Sequence, residues 1–234
     1  MTAGLLGSDG RLRRSWKDGR ATADGVLEDH ANLAEGLHAL YQATFDERWF
    51  AMAASLAETI LARFADPAGG FFDTAADGER LVVRPKGLQD NATPSGGAMA
   101  TTVLLRLAAL TGEGRFRAAA EAALAGVGPY VARYPTAFAQ WLIALELADA
   151  GIDEVAIVGD PAAPATRSLI DVVDRGFRPF LVLAATAAPD GSAVPLLAGR
   201  FALDGRPTAF VCRDFACRLP VTEPEALDAL LVRA

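Results

Sequence analysis

"SGGAMATTVLLRLAALTG", residues 95–112, is nearly all small or apolar and ends on Thr111-Gly112, the pattern of a helix closed by a glycine stop. A helix without a polar face cannot sit at a surface, so this stretch is expected to be buried on most sides and the rest of the chain to be arranged around it.

Upstream, "LEDHANLAEGLHALYQAT" (27–44) places Leu33, Leu37 and Leu40 with Ala34 and Tyr41 at three- and four-residue spacing, an amphipathic helical stripe. "DERWFAMAASLAETILARFA" (46–65) follows with Asp46 as N-cap and Trp49, Phe50, Ala53, Leu56, Ile60 and Phe64 on one apolar face, so the two form a helical hairpin. Downstream, "GRFRAAAEAALAGVGPYVARYP" (114–135) is mixed and belongs outside, while "TAFAQWLIALELADAG" (136–151) is again apolar on almost every side. Inner helices thus alternate with outer ones.

The period changes near Gly151, which divides a helical region, 1–150, from a small α/β segment, 151–234, packed on it. "EVAIVG" (154–159) and "FLVLAA" (180–185) are short buried strands around the helical "PATRSLIDVVDRG" (164–176), which predicts a right-handed parallel β-α-β unit. "PLLAGRFALDGRPTAFVC" (195–212) alternates about Asp204-Gly205 and predicts an antiparallel hairpin. "TEPEALDALLVRA" (222–234) places Thr222 and Glu225 at capping-box spacing ahead of a last helix.

With 234 residues, 52% hydrophobic content and a positive mean hydropathy, the chain has material for a sizeable core. A net charge of -7 without a long basic run argues against nucleic acid as a partner. No apolar run is long enough to span a membrane, and residues 1–20 lack the apolar core and cleavage site of a signal peptide. Two cysteines make no disulfide framework. These features predict a soluble, cytoplasmic protein.

The succession "RSWKDGRA", "LEDHANLAEGL", "GGFFDTA", "RPKGLQDNATPSGGA", "ARYP", "VAIVGDP" and "GRPTAFVCRDFAC" followed by proline resembles the C-terminal part of the thioredoxin-domain-containing proteins related to the spermatogenesis-associated protein 20 group. The resemblance implies a mostly α fold, part of an (α/α) toroid of the six-hairpin glycosidase type, followed by the small α/β segment. It also implies a thioredoxin-like domain and earlier toroid helices that these residues do not include, so the chain reads as a fragment or a reduced member. An open arc would expose apolar inner helices and call for self-association or a partner, a thioredoxin-like domain among the candidates. The other arrangement is five helices closing as a compact bundle over the small sheet.

Candidate chemistry concentrates in "RPKGLQDNATPSGG" (84–97). Arg84 and Lys86 are donors for carboxylate, phosphate or sugar oxygens, Asp90 is an acceptor or base, and Gln89 and Asn91 offer amides to hydroxyls. Ser95 opens the buried helix, whose amino end favours an oxygen-rich ligand. Glu28 and Asp29 begin another inner helix and would face the same mouth, where paired carboxylates serve acid-base chemistry. Asp29 and Asp90 are the catalytic candidates, with Glu28, Arg84, Lys86, Gln89, Asn91 and Ser95 as binding groups. The competing explanation is structural: solvated ion pairs on a loop, Ser95 as an N-cap, and acids that offset a helix dipole. Asp73, after the aromatic pair Phe71 and Phe72, is a further acid.

His30 beside two acids invites a proton-shuttle role, yet the resembled family commonly has an aromatic residue there. No cofactor is predicted, and the spacing of His30, His38, Cys212 and Cys217 does not fit zinc. Cys212 and Cys217, with four residues between them, form either a local disulfide or a regulatory thiol pair. Two functions remain open: binding or processing of a carbohydrate-like metabolite by carboxylates, or a non-catalytic scaffold or redox-linked module.

Overall fold

The computed structural model describes residues 2–7 and 11–232. A short helix α1 (Thr2–Leu5) precedes the hairpin β1 (Arg13–Lys17) and β2 (Arg20–Asp24), whose turn puts Asp18 and Gly19 at φ 51° and 75°. Five helices follow: α2 (Leu27–Thr44), α3 (Glu47–Arg63), α4 (Gly96–Thr111), α5 (Gly114–Arg133) and α6 (Ala139–Ala150). The remainder is β3 (Asp153–Val158), α7 (Pro164–Asp174), β4 (Leu181–Thr186), β5 (Thr208–Arg213), β6 (Ala216–Cys217) and α8 (Pro224–Leu231).

Helix α4 is the axis of the molecule. Fourteen of its sixteen residues, from Gly96 to Leu110, are buried. Ser95 caps its amino end by accepting from the Ala98 N–H, and Gly112, at φ 73°, closes it. It packs against α2, α5 and α6, while α3 lies against α2 on the outer side. The stripe that seats α2 is Leu27, Ala31, Ala34, Leu37 and Tyr41; it shares Ala34, Leu37 and Tyr41 with the stripe read in the sequence, while Leu33 is half-buried and Leu40 exposed. Asp46 accepts from the Arg48 N–H at 3.1 Å and so caps α3.

The sheet runs in the order β4-β3-β5-β6, with β3 and β4 parallel and the other pairs antiparallel. Alternation sends Ala156, Val158, Val182, Ala184 and Phe210 into the helical core and Val155, Ile157, Leu183, Ala209 and Val211 into a second core under α7 and α8. The sheet is therefore covered on both faces. It also lies against α2 and α4, whereas α6, expected to be apolar and enclosed on almost every side, buries Trp141, Ala144 and Leu147 and leaves Leu142 and Ile143 exposed, because it packs on α4 and α5 with one face alone.

Two local expectations change. Asp204-Gly205 makes its left-handed turn, but only Leu203 and Arg206 bridge across it; residues ahead of it form a short 3-10 turn at Pro195–Leu197 instead of a strand. Pro195 donates no N–H to a ladder, and the 3-10 turn it begins buries the Leu196 and Leu197 side chains against the helical core. At α8 the capping position falls on Glu223, without a side-chain cap, because Pro224 occupies the first helical position.

His38, on α2, is buried, and neither ring nitrogen has a partner among the described residues. Burial alone pulls its pKa down from 6.5 to about 4, so the folded chain keeps it neutral where the unfolded chain takes up a proton. Between pH 4 and 6.5 the unfolded state binds more protons, hence this group's contribution is complete above pH 6.5 and declines as pH falls toward 4. From pH 7 to 5 the expected loss is about 2 kcal/mol. Urea unfolding at both pH values checks it: His38→Gln should remove that part of the slope, and an unchanged slope would refute the assignment.

Candidate functional site

The amino ends of α2, α4 and α6 meet at one end of the helical layer. A Cβ on Gly96 would lie 2.8 Å from the Glu28 backbone nitrogen and 3.1 Å from its Cα, so α4 enters directly against the start of α2. On its other side, the Asp90 carboxylate joins α4 to α6: Oδ1 accepts from the Ser95 N–H and Oδ2 from the Gln140 N–H, both at 2.8 Å. An anion at two helix amino ends is favoured by both dipoles and satisfies donors that would otherwise be orphaned.

The connection from 84 to 95 is stitched along its length. Arg84 lies 4.0 Å over the Phe72 ring and donates to the carbonyls of Arg63 and Thr74. Lys86 pairs with Asp66 at 2.5 Å, donates to the Gly69 carbonyl and faces the same ring at 4.9 Å. Phe72 is thus flanked by two cations, and both are used to fix the turn that follows α3. The Asp73 carboxylate accepts from the Gly87 N–H at 2.8 and 3.0 Å, and the Leu88 carbonyl accepts from the Trp141 indole at 2.8 Å.

What remains open is a cleft of about 320 Å³ lined by Arg14, Glu28, Asp73, Gln89, Asn91 and Ser95, among other residues. Arg14, on β1, reaches within 3.9 Å of carboxylate oxygens of both Glu28 and Asp29. Burial pushes the Asp73 carboxyl above the usual carboxylate range, an effect partly offset by the Gly87 N–H. The cleft therefore holds an acid that retains its proton more readily than an exposed carboxylate, a second carboxylate, a guanidinium and two amides. This set exchanges hydrogen bonds with hydroxyls and can give or take a proton.

Of the residues singled out in the sequence, Glu28, Gln89, Asn91 and Ser95 converge on this cleft. Asp29 stands behind its wall, where Oδ2 accepts from the Val26 N–H at 2.9 Å and completes the cap of α2. Asp90 is occupied by the two backbone donors. Arg84 and Lys86 face Phe72 and the 66–70 turn, not the cleft, because stacking on the ring and accepting carbonyls hold their heads there. Arg14 escaped sequence reading. The signal for it was Asp18-Gly19, whose turn folds β1 back toward α2.

His30 has a separate position. Nδ1 lies 2.9 Å from the Val26 carbonyl, Nε2 accepts from the Leu12 N–H at 3.4 Å, and the ring contacts Phe64 at 5.0 Å between centroids. Burial, more than any neighbouring charge, pulls its pKa down. It ties the amino-terminal hairpin to α2 and lines another cavity, of about 310 Å³, shared with Arg63, Phe64 and Thr74. Cys212 and Cys217 are joined in a disulfide at the opposite strand edge of the sheet from β4.

No family model matches the chain. Among curated proteins, it is 30% identical to spermatogenesis-associated protein 20 of Mus musculus over 238 residues, which covers 96% of the chain and 30% of that protein. The human protein of the same name is 32% identical over 213 residues, covering 88% of the chain and 27% of the relative. An uncharacterized protein of Caenorhabditis elegans is 25% identical over 226 residues, with 96% and 30% covered. The chain spans about 30% of the length of the mouse relative.

Proposed function

Starting from homology to spermatogenesis-associated protein 20 at about 30% identity over most of the chain, we propose that the cleft at the helix amino ends binds a small polyhydroxylated, carbohydrate-like metabolite. The packing of α2 against α3 and of α4 against α5 as successive hairpins supports reading 1–150 as part of an (α/α) toroid of the six-hairpin glycosidase type. The single observation that carries the ligand reading is the lining itself: Glu28, Asp73, Gln89 and Asn91 share one cleft.

In this reading Gln89 and Asn91 take ligand hydroxyls, Asp73 donates a proton to a ligand oxygen and Glu28 accepts one. Asp29 and Asp90 act through the helix ends they hold, positioning the wall. A panel of monosaccharides and oligosaccharides, followed by thermal shift and calorimetry, tests this. A hit should weaken by roughly tenfold per amide in Gln89→Ala and Asn91→Ala, since each removes about 1.4 kcal/mol of hydrogen bonding. Asp73→Asn should retain binding and lose turnover. If no sugar stabilises the chain, or if the amide variants bind as well as the parent, the cleft is not a ligand site. The scaffold reading then takes its place, favoured by the use of both Asp90 oxygens to clamp helices.

A further inference from the structure

The tip of the sheet carries a second cluster of reactive groups. Cys212 and Cys217 face one another across the antiparallel β5-β6 ladder, joined by a disulfide. One guanidinium nitrogen of Arg200, Nη2, stands 3.2 Å from the Cys212 sulfur and 3.3 Å from that of Cys217. Cys212 is buried, at 2% exposure, and Cys217 is exposed. Glu154, buried and directly opposite Cys212 in the β3-β5 ladder, accepts from the Phe215 N–H at 2.9 Å.

As a staple this bond stands at the weak end of what disulfides contribute. It closes a loop between residues five apart, whose ends the ladder already holds together, and the stabilisation a disulfide brings grows with the length of loop it closes. The placement of Nη2 on both sulfurs is not explained by the attraction of Arg200 to Glu154 alone, because a disulfide carries no charge to pair with it. It is well explained if sulfur becomes charged: a cation in hydrogen-bond reach favours thiolate over thiol. Arg200 is half-buried and lies 5.7 Å over the Phe210 ring, so its head is held at the sulfurs.

We propose that Cys212 and Cys217 form a redox-active disulfide that exchanges with an external thiol at Cys217, Arg200 holding the Cys212 thiolate that the exchange releases. An incoming thiolate attacks the exposed Cys217 sulfur and forms a mixed disulfide. The Cys212–Cys217 bond breaks, and its electron pair leaves on Cys212 beside the guanidinium. A second external thiolate attacks the external sulfur of the mixed disulfide and releases Cys217 as thiolate. In sum, two external thiols are oxidised to their disulfide and the protein pair is reduced by two electrons; the reverse sequence reduces an external disulfide to two thiols and restores the protein disulfide.

Other charges near the pair are Glu154, Asp214 and Arg117, the last two joined at 2.8 Å. Burial pushes the Glu154 carboxyl above the usual range, and in its ionised form it opposes a neighbouring thiolate, against which Arg200 acts. The β5-β6 turn, with Asp214 and Phe215 at φ 49° and 61°, places the Phe215 ring 3.1 Å from where a Cβ on Gly112 would stand, at the carboxyl end of α4.

The test is equilibration of the 234-residue chain in glutathione redox buffers, with thiols trapped by alkylation and counted by mass spectrometry. The expected result is reversible conversion of the pair, with a glutathione adduct trapped at Cys217 in Cys212→Ser and little at Cys212 in Cys217→Ser. Arg200→Gln should lower the ratio of reduced to oxidised protein in the same buffer by roughly tenfold, equal to about 30 mV for a two-electron couple. Should that variant fold poorly, alkylation of the reduced parent chain against pH replaces it: the more reactive thiol should titrate below the ordinary value of about 8.5. A pair that stays oxidised in every glutathione buffer, equal trapping at both cysteines, an Arg200→Gln ratio equal to the parent's, or an ordinary thiol pKa would each overturn the proposal.

Discussion

Asp90→Ala is expected to lower the stability of the chain by about 2–4 kcal/mol, read as a fall in the urea midpoint without a large change in slope. The reason is double use. One carboxylate joins the amino ends of α4 and α6, accepting from the Ser95 and Gln140 N–H groups, and its own backbone N–H donates to the Ala137 carbonyl at 2.9 Å. Alanine leaves two backbone donors without acceptors at the point where α4 and α6 meet. Asp90→Asn keeps one side-chain oxygen and presents an NH2 group to the other donor, so it should fall between. An alanine variant as stable as the parent would show that water replaces the carboxylate at no cost, and would free Asp90 for the chemical role that the sequence invites.

Gly96→Ala should destabilise by about 1–3 kcal/mol, although helix propensity alone would favour alanine by about 1 kcal/mol. The added methyl would sit 2.8 Å from the Glu28 nitrogen and 3.1 Å from its Cα, and these are backbone atoms that cannot rotate away. Relief requires α2 and α4 to separate at their amino ends, which also widens the cleft. Gly126→Ala is the control with the opposite sign, because a Cβ in that part of α5 meets nothing within 4 Å. It should be neutral or stabilising by up to about 1 kcal/mol. If both substitutions stabilise equally, the close approach of α2 and α4 is not a constraint on the fold.

These two sites show where local and long-range information divide. The burial of α4 is legible in the sequence because 95–112 offers no polar face, and Ser95 and Gly112 mark its ends by chemistry that acts within a few residues. The β-α-β unit is legible for the same reason: short β-branched runs around an amphipathic helix admit few other arrangements. Leu40 and the 195–203 segment misled for a shared reason. Apolar spacing fixes a period but not which residue within it faces the core, and Leu196 and Leu197 are buried together in a 3-10 turn, a pattern that alternation does not anticipate.

At the site, the sequence supplied a set of polar residues and the fold sorted them. Arg84, Lys86 and Asp90 lie within seven residues, yet a stacked ring and paired carbonyls draw the first two toward Phe72 while two helix ends draw in the third. Gln89 and Asn91, between and beside them, stay with the cleft. By itself, then, the sequence determined the long helices, the β-α-β unit, the caps of α3 and α4 and the buried axis, since those follow from residue spacing and nearest-neighbour hydrogen bonds. Which polar groups are consumed as scaffold and which face the cleft was decided only by tertiary structure, because the competing partners, Arg14 on β1, Phe72 and Gln140, come from segments far apart in the chain.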